Sequence, residues 1–244
     1  MADMMSNIFG TKRNIDVVFC IDGTGSMSGC IESVKSNARR FHLEFASAMT
    51  DLGSEIDSMR IKVVVFRDYE SEGREAIKQS EFFELPDDEA DFASYMTGVV
   101  ATGGGDYPEN GLEALYTAMN SDFTTGAKDR QVIVLFTDAE ALALKERAGC
   151  DGYPADMVDE DGLVTTWACA SQDKVLKLRE KNKRLVIFAP AGTKYEAVSK
   201  KLNRSIFEPV NMGEGLKDID FKEISIIFLQ YLQSLYNSNI GVNV

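Results

Sequence analysis

Oxygen-bearing side chains alternate with glycines in the segment DGTGS, which runs from Asp22 to Ser26. Asp22, Thr24 and Ser26 contribute one carboxylate and two hydroxyl groups, and their alternation in a tight turn lets the three side chains converge on one point. The intervening glycines lack the Cβ atoms that would crowd this point. A second carboxylate, that of Asp138, ends the apolar run QVIVLFTD. Such oxygen ligands suit a hard divalent cation, Mg²⁺ in the first place and Mn²⁺ or Ca²⁺ as substitutes.

The DGTGS segment alone cannot complete an octahedral shell, so further ligands must come from neighbouring strand ends. Asp138 is one candidate. The other is the glycine-rich TGGGD loop, which contains Thr102 and Asp106. This loop lacks the lysine and the spacing of a phosphate-binding P-loop. We therefore interpret it as a loop that positions one ligand side chain.

Two other interpretations of these residues are weaker. Zinc is disfavoured because the cysteines form no cluster and the single histidine, His42, lies in a predicted helix, where a structural role is expected. The DGTGS segment could instead be a turn that caps the following helix, since Asp, Ser and Thr accept hydrogen bonds from free backbone N–H groups at such positions. Metal binding is favoured because a second apolar strand also ends in an aspartate.

Buried strands must position these polar loops. Residues Asn14–Ile21 form a nearly continuous apolar run, which is typical of a strand buried on both faces of a parallel sheet. Apolar residues then recur at helical spacing from Ser28 to Met49, which predicts a long amphipathic helix. Ligands of an open parallel sheet bind at the carboxyl ends of the strands, where the strand order reverses. Asp22 and Asp138 therefore meet if their strands are neighbours.

The rest of the chain continues the alternation of strands and helices. Further strands are predicted at Ile61–Phe66, Gln79–Leu85 as an edge strand, Gln131–Asp138, Leu185–Pro190 and Ser205–Val210, and further helices at Asp87–Val99, Asn110–Met119, Ser171–Lys183, Lys194–Asn203 and Asp220–Tyr236. Ala139–Thr166 is predicted to be a long surface loop broken by a helical turn. This order predicts an α/β fold with a doubly wound, mostly parallel six-stranded sheet flanked by helices.

These residues resemble the metal-ion-dependent adhesion site of the von Willebrand factor A domains. That site combines a D-x-S-x-S segment after the first strand, a threonine from a middle loop and an aspartate after the fourth strand. Asp22, Thr24 and Ser26 match the first element, with threonine in place of the first serine, and Asp138 matches the last. The segments GTGSM, FRDY and GGGDYPE are similar to the intracellular branch of the family. The resemblance spans about Asp16 to Tyr236 and implies a Rossmann-like fold.

The middle ligand is where this sequence departs from the family pattern. Counting back from Gly111 and Leu112, which match the small-apolar pair that opens the family's following helix, places Asp106 at the threonine position. Thr102 is the chemically expected residue, but it lies four positions earlier. We favour Asp106 over Thr102. As a direct ligand, Asp106 would give the site a third carboxylate and make the cation less electrophilic towards an incoming acidic group.

The resemblance implies a protein-binding module rather than an enzyme. The cation would accept a Glu or Asp side chain of a protein partner, and the last helix, Asp220–Tyr236, could shift when the metal shell changes. One alternative is a Mg²⁺-dependent hydrolase or phosphotransferase with Asp22 as nucleophile, although position 24 is Thr rather than Asp and no lysine lies nearby in sequence. Another is a structural subunit in which the metal only stabilises the fold.

Composition and charge limit the class of protein. The 244 residues carry a net charge of -13, which disfavours binding to nucleic acid or to an anionic membrane. No apolar run is long enough for a membrane span, and the first residues lack the pattern of a secretory signal. The four cysteines lack the spacing of a metal site, so we expect a cytoplasmic protein with reduced thiols. We expect an N-terminal extension at residues 1–13, one domain of the A type at 14–237 and a tail at 238–244.

Overall fold

The computed structural model describes residues 11–35, 43, 47, 54–103, 108–127, 129–169 and 176–216, and for residues 11–13, 54 and 55 it describes the backbone alone. Within these residues, seven strands form one sheet. They are β1 (Thr11–Asp22), β2 (Ser54–Phe66), β3 (Ile77–Gln79), β4 (Phe83–Leu85), β5 (Arg130–Phe136), β6 (Lys183–Pro190) and β7 (Ser205–Val210). Their order along the sheet is β3-β2-β1-β5-β6-β7, and β4 also pairs with β2.

The five longer strands are parallel, which confirms the predicted mostly parallel sheet. β3 and β4 run antiparallel to β2 at its edge. They replace the single edge strand predicted over Gln79–Leu85, so the sheet has seven strands rather than six. Ser80 separates them. Its N–H donates to Val63 O at 2.9 Å, but its hydroxyl accepts from Val63 N at 3.0 Å, so a side chain replaces a backbone carbonyl in the ladder.

Helices cover both faces of the sheet. α1 begins at residue 28 and is helical through residue 35, and residues 43 and 47 are helical too, in agreement with the helix predicted from Ser28 to Met49. The other helices are α2 (Tyr69–Glu72), α3 (Glu89–Gly98), α4 (Gly111–Met119), α5 (Glu160–Trp167) and α6 (Lys194–Ser199). None of the helices described here combines the length and the apolar character that crossing a bilayer requires.

The core has two apolar layers, because alternate side chains of the buried strands point to opposite faces of the sheet. On one face, Ile31 of α1 and Phe92 of α3 belong to the same cluster as Phe19 of β1. On the other face, Leu115 of α4 and Trp167 of α5 are buried in a second cluster. Each such side chain stabilises the fold by about 1.5–3 kcal/mol when fully buried. The two layers hold the strand ends, and with them the polar loops, in fixed positions.

The helix predicted from Ser171 to Lys183 is wrong over its described part, because residues 176–182 contain no helix. The side chain of Gln131 on β5 holds this segment instead. Its Nε2 donates to Lys177 O at 2.8 Å, and its Oε1 accepts from Arg179 N at 2.6 Å. These contacts engage backbone groups that a helix would need, so tertiary hydrogen bonds override the local helical pattern.

The loop after β5 is shorter than predicted. It is irregular from Ala139 to Asp159, but α5 begins at Glu160, whereas the sequence pattern placed the end of the loop at Thr166. Asp159 begins this helix, because its side chain accepts a hydrogen bond from Gly162 N at 2.9 Å. The closing helix predicted for residues 220–236 lies outside the described residues.

Candidate metal centre

The candidate site lies at the carboxyl ends of β1 and β5. These strands are hydrogen-bonded neighbours, with Ile21 paired to Phe136. β2 lies on the other side of β1, so the strand order reverses between β1 and β5, where a ligand crevice is expected. Asp22 and Asp138 therefore leave the sheet at the same edge, as the sequence predicts, and both are fully buried.

Asp22 is held by hydrogen bonds to both of its carboxylate oxygens. Oδ1 accepts from the Thr24 backbone N–H at 2.9 Å and from the Thr24 hydroxyl at 2.6 Å. Oδ2 accepts from the Thr137 hydroxyl at 2.7 Å. Because both oxygens are engaged, the position and the orientation of this carboxylate are fixed.

Burial raises the pKa of Asp22 to about 6. Removal from water is the largest cause, because it disfavours the charged form, and the negative charge of Asp138 acts in the same direction. The hydrogen bonds from Thr24 and Thr137 lower the pKa, since they stabilise the carboxylate. The site therefore brings a buried carboxylate close to a second one.

A chain of oxygen atoms joins the two strand ends. Thr24 Oγ1 lies 3.4 Å from Ser26 Oγ, and the Ser26 hydroxyl donates to Asp138 Oδ1 at 2.9 Å. The Thr24 hydroxyl donates its proton to Asp22. A hydroxyl oxygen that donates its proton to a carboxylate keeps its lone pairs, and these are available to a cation.

The loop after β7 holds Asp138 from the opposite side. Asp138 Oδ2 accepts from Gly215 N at 2.8 Å, and its backbone carbonyl accepts from Gly213 N at 2.9 Å. Gly215 has a φ of +70°, and a Cβ atom at this position would overlap the carbonyl oxygen of Ser26. Only a glycine lets this loop lie against the DGTGS segment while its N–H orients Asp138.

Arg67, the residue after β2, joins the DGTGS segment to the glycine-rich loop. Its Nε donates to Gly23 O at 3.0 Å and to Thr102 O at 3.2 Å, and its Nη2 donates to Val100 O at 2.7 Å. A Cβ atom at position 23 would lie 2.8 Å from the guanidinium carbon, so the approach requires Gly23. The buried guanidinium thereby fixes the two loops side by side.

The structure places Thr102 beside the candidate site, whereas Asp106 lies outside the described residues. The Thr102 N–H donates to Gly23 O at 3.0 Å, and Gly25 N donates to Gly103 O at 3.3 Å. Thr102 and Gly103, the described residues of the glycine-rich loop, thus lie against the DGTGS segment, as expected of a loop that would supply a ligand. The preference for Asp106 over Thr102 as the middle ligand stays a prediction.

The donor set fits a hard divalent cation. In the described part of the chain, no three acidic, histidine or cysteine side chains come together, so a cation bound at this site would need hydroxyl oxygens among its ligands. The hydrogen bonds to Asp22 and Asp138 come from hydroxyl and backbone N–H groups, and none comes from a lysine or arginine of the described residues. Two buried carboxylates without a cationic partner are costly, and a divalent cation would neutralise both.

A further acidic side chain, that of Glu109, is buried near the site and is 3% exposed. Its backbone is tied to the segment after β5, because Glu109 N donates to Glu140 O and Leu142 N donates to Glu109 O, both at 2.9 Å. Burial, followed by the negative charges of Asp22 and Asp68, raises the pKa of Glu109 to about 8. The carboxyl group of Glu109 is therefore mostly neutral at pH 7.

Three residues that organise the site are absent from the sequence-based ligand set. Thr137 directly precedes Asp138, and a hydroxyl at the end of a buried strand is the signal that could have identified it. Arg67 and Gly215 act through backbone groups of remote segments, and no local pattern indicates such contacts.

Comparisons with known proteins agree with this architecture. The von Willebrand factor type A domain family matches residues 17–140, just over half of the chain, and this range contains Asp22, Thr24, Ser26 and Asp138. No curated protein sequence matches the chain.

Two solved structures are similar to this chain. The pilus adhesin SpaC from Lactobacillus rhamnosus GG, in its open conformation, has a TM-score of 0.51 and 9% sequence identity, over 89% of this chain and 30% of the SpaC chain. Proximal thread matrix protein 1 from the mussel byssus has a TM-score of 0.48 and 13% identity, over 93% of this chain and 49% of that protein. The chain thus spans less than half the length of either protein, and the SpaC likeness concerns the fold alone.

Proposed function

This chain belongs to the von Willebrand factor type A domain family, a family of protein-interaction modules, and from that premise we propose that it binds a protein partner through a divalent cation. The observation that carries the proposal is the oxygen chain formed by Thr24, Ser26 and Asp138 between the ends of β1 and β5. These oxygens lie beside a second buried carboxylate, that of Asp22, and no described basic residue pairs with either acid.

Each residue has a distinct part in this proposal. Thr24 and Ser26 would hold the cation through their hydroxyl oxygens, and Asp138 would hold it through Oδ1. Asp22 accepts two hydrogen bonds at Oδ1 and one at Oδ2, and its part is to orient the Thr24 hydroxyl and to balance the charge of the cation. The Gly215 N–H occupies Asp138 Oδ2, which leaves Oδ1 as the oxygen that faces Ser26.

The proposed ligand is a Glu or Asp side chain of the partner. When bound, Mg²⁺ supplies a positive charge and water ligands that such a carboxylate can replace. The chain itself has a net charge of -13, so an acidic partner has no general attraction to its surface. Selective capture of an acidic group therefore depends on this one site.

The geometry favours binding over a hydrolase or phosphotransferase that uses Asp22 as its nucleophile. Both carboxylate oxygens accept hydrogen bonds from Thr24 or Thr137, and the side chain is fully buried. A nucleophile needs an accessible oxygen that can reach the substrate. We therefore propose no catalytic role for this residue.

The test is capture of a partner from native lysate in Mg²⁺, in EDTA, and in EDTA followed by excess Mg²⁺. We expect capture only when Mg²⁺ is present, and we expect Asp138→Asn to abolish it. Asp151→Asn is the matched control, because Asp151 is 69% exposed and pairs only with the exposed Arg74 among the ion pairs described. Capture that survives both EDTA and Asp138→Asn would contradict the proposal. A purely structural metal would instead lower the melting temperature without changing capture by the folded protein.

A further inference from the structure

Four buried polar groups lie where α4 begins. Among the described residues, none provides a hydrogen-bond partner for Glu109 Oε2, Asn110 Nδ2, Glu113 Oε2 or Tyr195 Oη, and each of the four side chains is at most 3% exposed. They are four of the seven such atoms in the described part of the chain. Buried polar groups without a partner are costly, so this concentration points to a bound group that satisfies them.

Gly111, the first residue of α4, brings these groups together. A Cβ atom at Gly111 would overlap the Tyr195 hydroxyl, so the phenol of α6 lies directly against the start of α4. Glu109 and Asn110 precede Gly111, and Glu113 lies in the first turn of the helix. Burial is the largest cause that raises the pKa of Tyr195, and nearby negative charges, which include those of Glu109 and Glu113, act in the same direction. The four side chains therefore form one polar pocket.

The pocket contains two hydrogen-bond acceptors and two donors. The carboxyl oxygens of Glu109 and Glu113 accept, and a neutral carboxyl group still has an accepting carbonyl oxygen, whereas the Asn110 amide and the Tyr195 hydroxyl donate. A cation would leave the amide N–H groups without an acceptor, and an anion would meet the carboxyl oxygens. A water molecule donates two hydrogen bonds and accepts two, so its bonding capacity matches the pocket.

The segment after β5, residues 139–159, packs against the same pocket. The Tyr153 hydroxyl donates to Glu113 Oε1 at 2.9 Å and accepts from Lys145 N at 2.8 Å. The backbone of Glu109 forms hydrogen bonds with residues 140 and 142, both at 2.9 Å. These contacts hold the segment against the start of α4, where the polar groups are out of reach of bulk solvent.

We propose that a buried water molecule binds in this pocket, where it donates to Glu109 and Glu113 and accepts from Asn110 and Tyr195. The water joins α6 to α4 and, through the hydrogen bond between Glu113 and Tyr153, to the segment after β5. Tyr195 is thus a positioning residue, because its hydroxyl acts on this segment through the water and Glu113. Internal water of this kind forms about three hydrogen bonds and is costly to remove. The inference does not depend on whether the candidate metal centre binds a cation.

The experiment combines a high-resolution crystal structure of the full chain with water relaxation dispersion, which counts long-lived internal water molecules, on the unchanged protein and on Tyr195→Phe. We expect a water molecule within hydrogen-bond distance of Tyr195 Oη and of a carboxyl oxygen of Glu109 or Glu113, and a lower count in Tyr195→Phe. The melting temperature of Tyr195→Phe should fall by about 2–4 °C, because the water loses one partner. Tyr95→Phe is the matched control, since Tyr95 packs against Phe83 on the other face of the sheet, and it should keep the count.

A hydroxyl that has no partner at all predicts the opposite change in stability. Tyr195→Phe would then raise the melting temperature, because a buried polar group would be removed without the loss of a hydrogen bond. That rise would overturn the proposal, as would the same count of long-lived water molecules in Tyr195→Phe and the unchanged protein. Electron density for a metal ion in the pocket, or for no bound group, would also overturn it, and this result requires no variant to fold.

Discussion

The Thr137 hydroxyl donates a 2.7 Å hydrogen bond to Asp22 Oδ2 and so ties the end of β5 to the end of β1. Both residues are fully buried. Without this donor, one oxygen of a buried carboxylate would have no partner, because the other hydrogen bonds of Asp22 go to Oδ1. The contact therefore links the stability of the sheet edge to the geometry of the candidate metal centre.

The Thr137→Val variant keeps the shape of the side chain and removes its hydroxyl. We expect the free energy of unfolding to fall by about 1–3 kcal/mol, because Asp22 Oδ2 loses its donor and the Ala139 N–H loses its acceptor. Thr97→Val is the control, because the Thr97 hydroxyl donates to Ala93 O on an exposed face of α3, and the change should stay within about 0.5 kcal/mol. Urea titration measures both. Equal unfolding free energies of the two variants would show that the Thr137 contact does not stabilise the fold.

Substitution of Gly215 should weaken metal binding as well as stability. Gly215→Ala adds a Cβ atom that overlaps Ser26 O, and the loop must move away from Asp138 Oδ2 to relieve it. Gly192→Ala is the matched control, since Gly192 has a similar φ of +79° but nothing within 4 Å of the added atom. Both variants carry the backbone strain of about 1 kcal/mol, but only Gly215→Ala should reduce Mn²⁺ affinity in a calorimetric titration. The same affinity in both variants would argue against an orienting role for Gly215.

The Arg67→Lys variant tests the contact between the two loops. Lysine keeps the charge but cannot place planar donors on the carbonyl oxygens of Gly23, Val100 and Thr102. We expect a loss of about 1–3 kcal/mol in unfolding free energy and faster hydrogen exchange of the Thr102 amide, which donates to Gly23 O. Arg74→Lys, at a side chain that is 76% exposed, should leave both quantities nearly unchanged. If the Thr102 amide exchanges hydrogen at the same rate in Arg67→Lys as in the unchanged protein, the prediction is contradicted.

Glu109 should make stability depend on pH. Its pKa is raised from an ordinary 4.5 to about 8 in the folded chain, so folding favours the protonated form. The contribution of Glu109 is therefore fully present below pH 4.5 and is lost as pH rises through 8, and stability falls by at most about 1.4 kcal/mol for each pH unit between these two values. We expect the unfolding free energy of the unchanged protein to fall more steeply between pH 4.5 and 8 than that of Glu109→Gln. Glu81 is exposed, so the unfolding free energy of Glu81→Gln should vary with pH as that of the unchanged protein does. If all three proteins show the same dependence on pH, the raised pKa of Glu109 is refuted.

Features that depend on neighbouring residues along the chain were predictable. The apolar run before Asp22 and the one before Asp138 each indicate a buried strand, and parallel strands end at the same edge of a sheet. That reasoning places the two acids together, and the structure shows them there, linked through Ser26. The strand Ser205–Val210 also has the predicted bounds, because its flanking residues interrupt the apolar pattern on both sides.

Features that depend on contacts between remote segments were not predictable. Gln131 holds residues 177–179 out of a helix, although their local sequence favours one. Arg67 and Gly215 reach the site from the ends of β2 and β7, and their contacts involve backbone groups, whose position depends on the completed fold. One edge strand became two because the Ser80 side chain competes with the ladder. Tertiary hydrogen bonds decide each of these cases, and no pattern in the sequence encodes them.

Calorimetric titration of the purified chain with Mg²⁺ and Mn²⁺ tests the central claim most directly, with Ser26→Ala and Ser28→Ala as a matched pair. Ser26 donates to Asp138 Oδ1, whereas Ser28 is exposed two positions further along the chain. The account predicts one cation per chain in the unchanged protein and in Ser28→Ala, and affinity at least about tenfold weaker in Ser26→Ala. No detectable uptake of either ion by the unchanged protein, or equal affinity in the two variants, would contradict it.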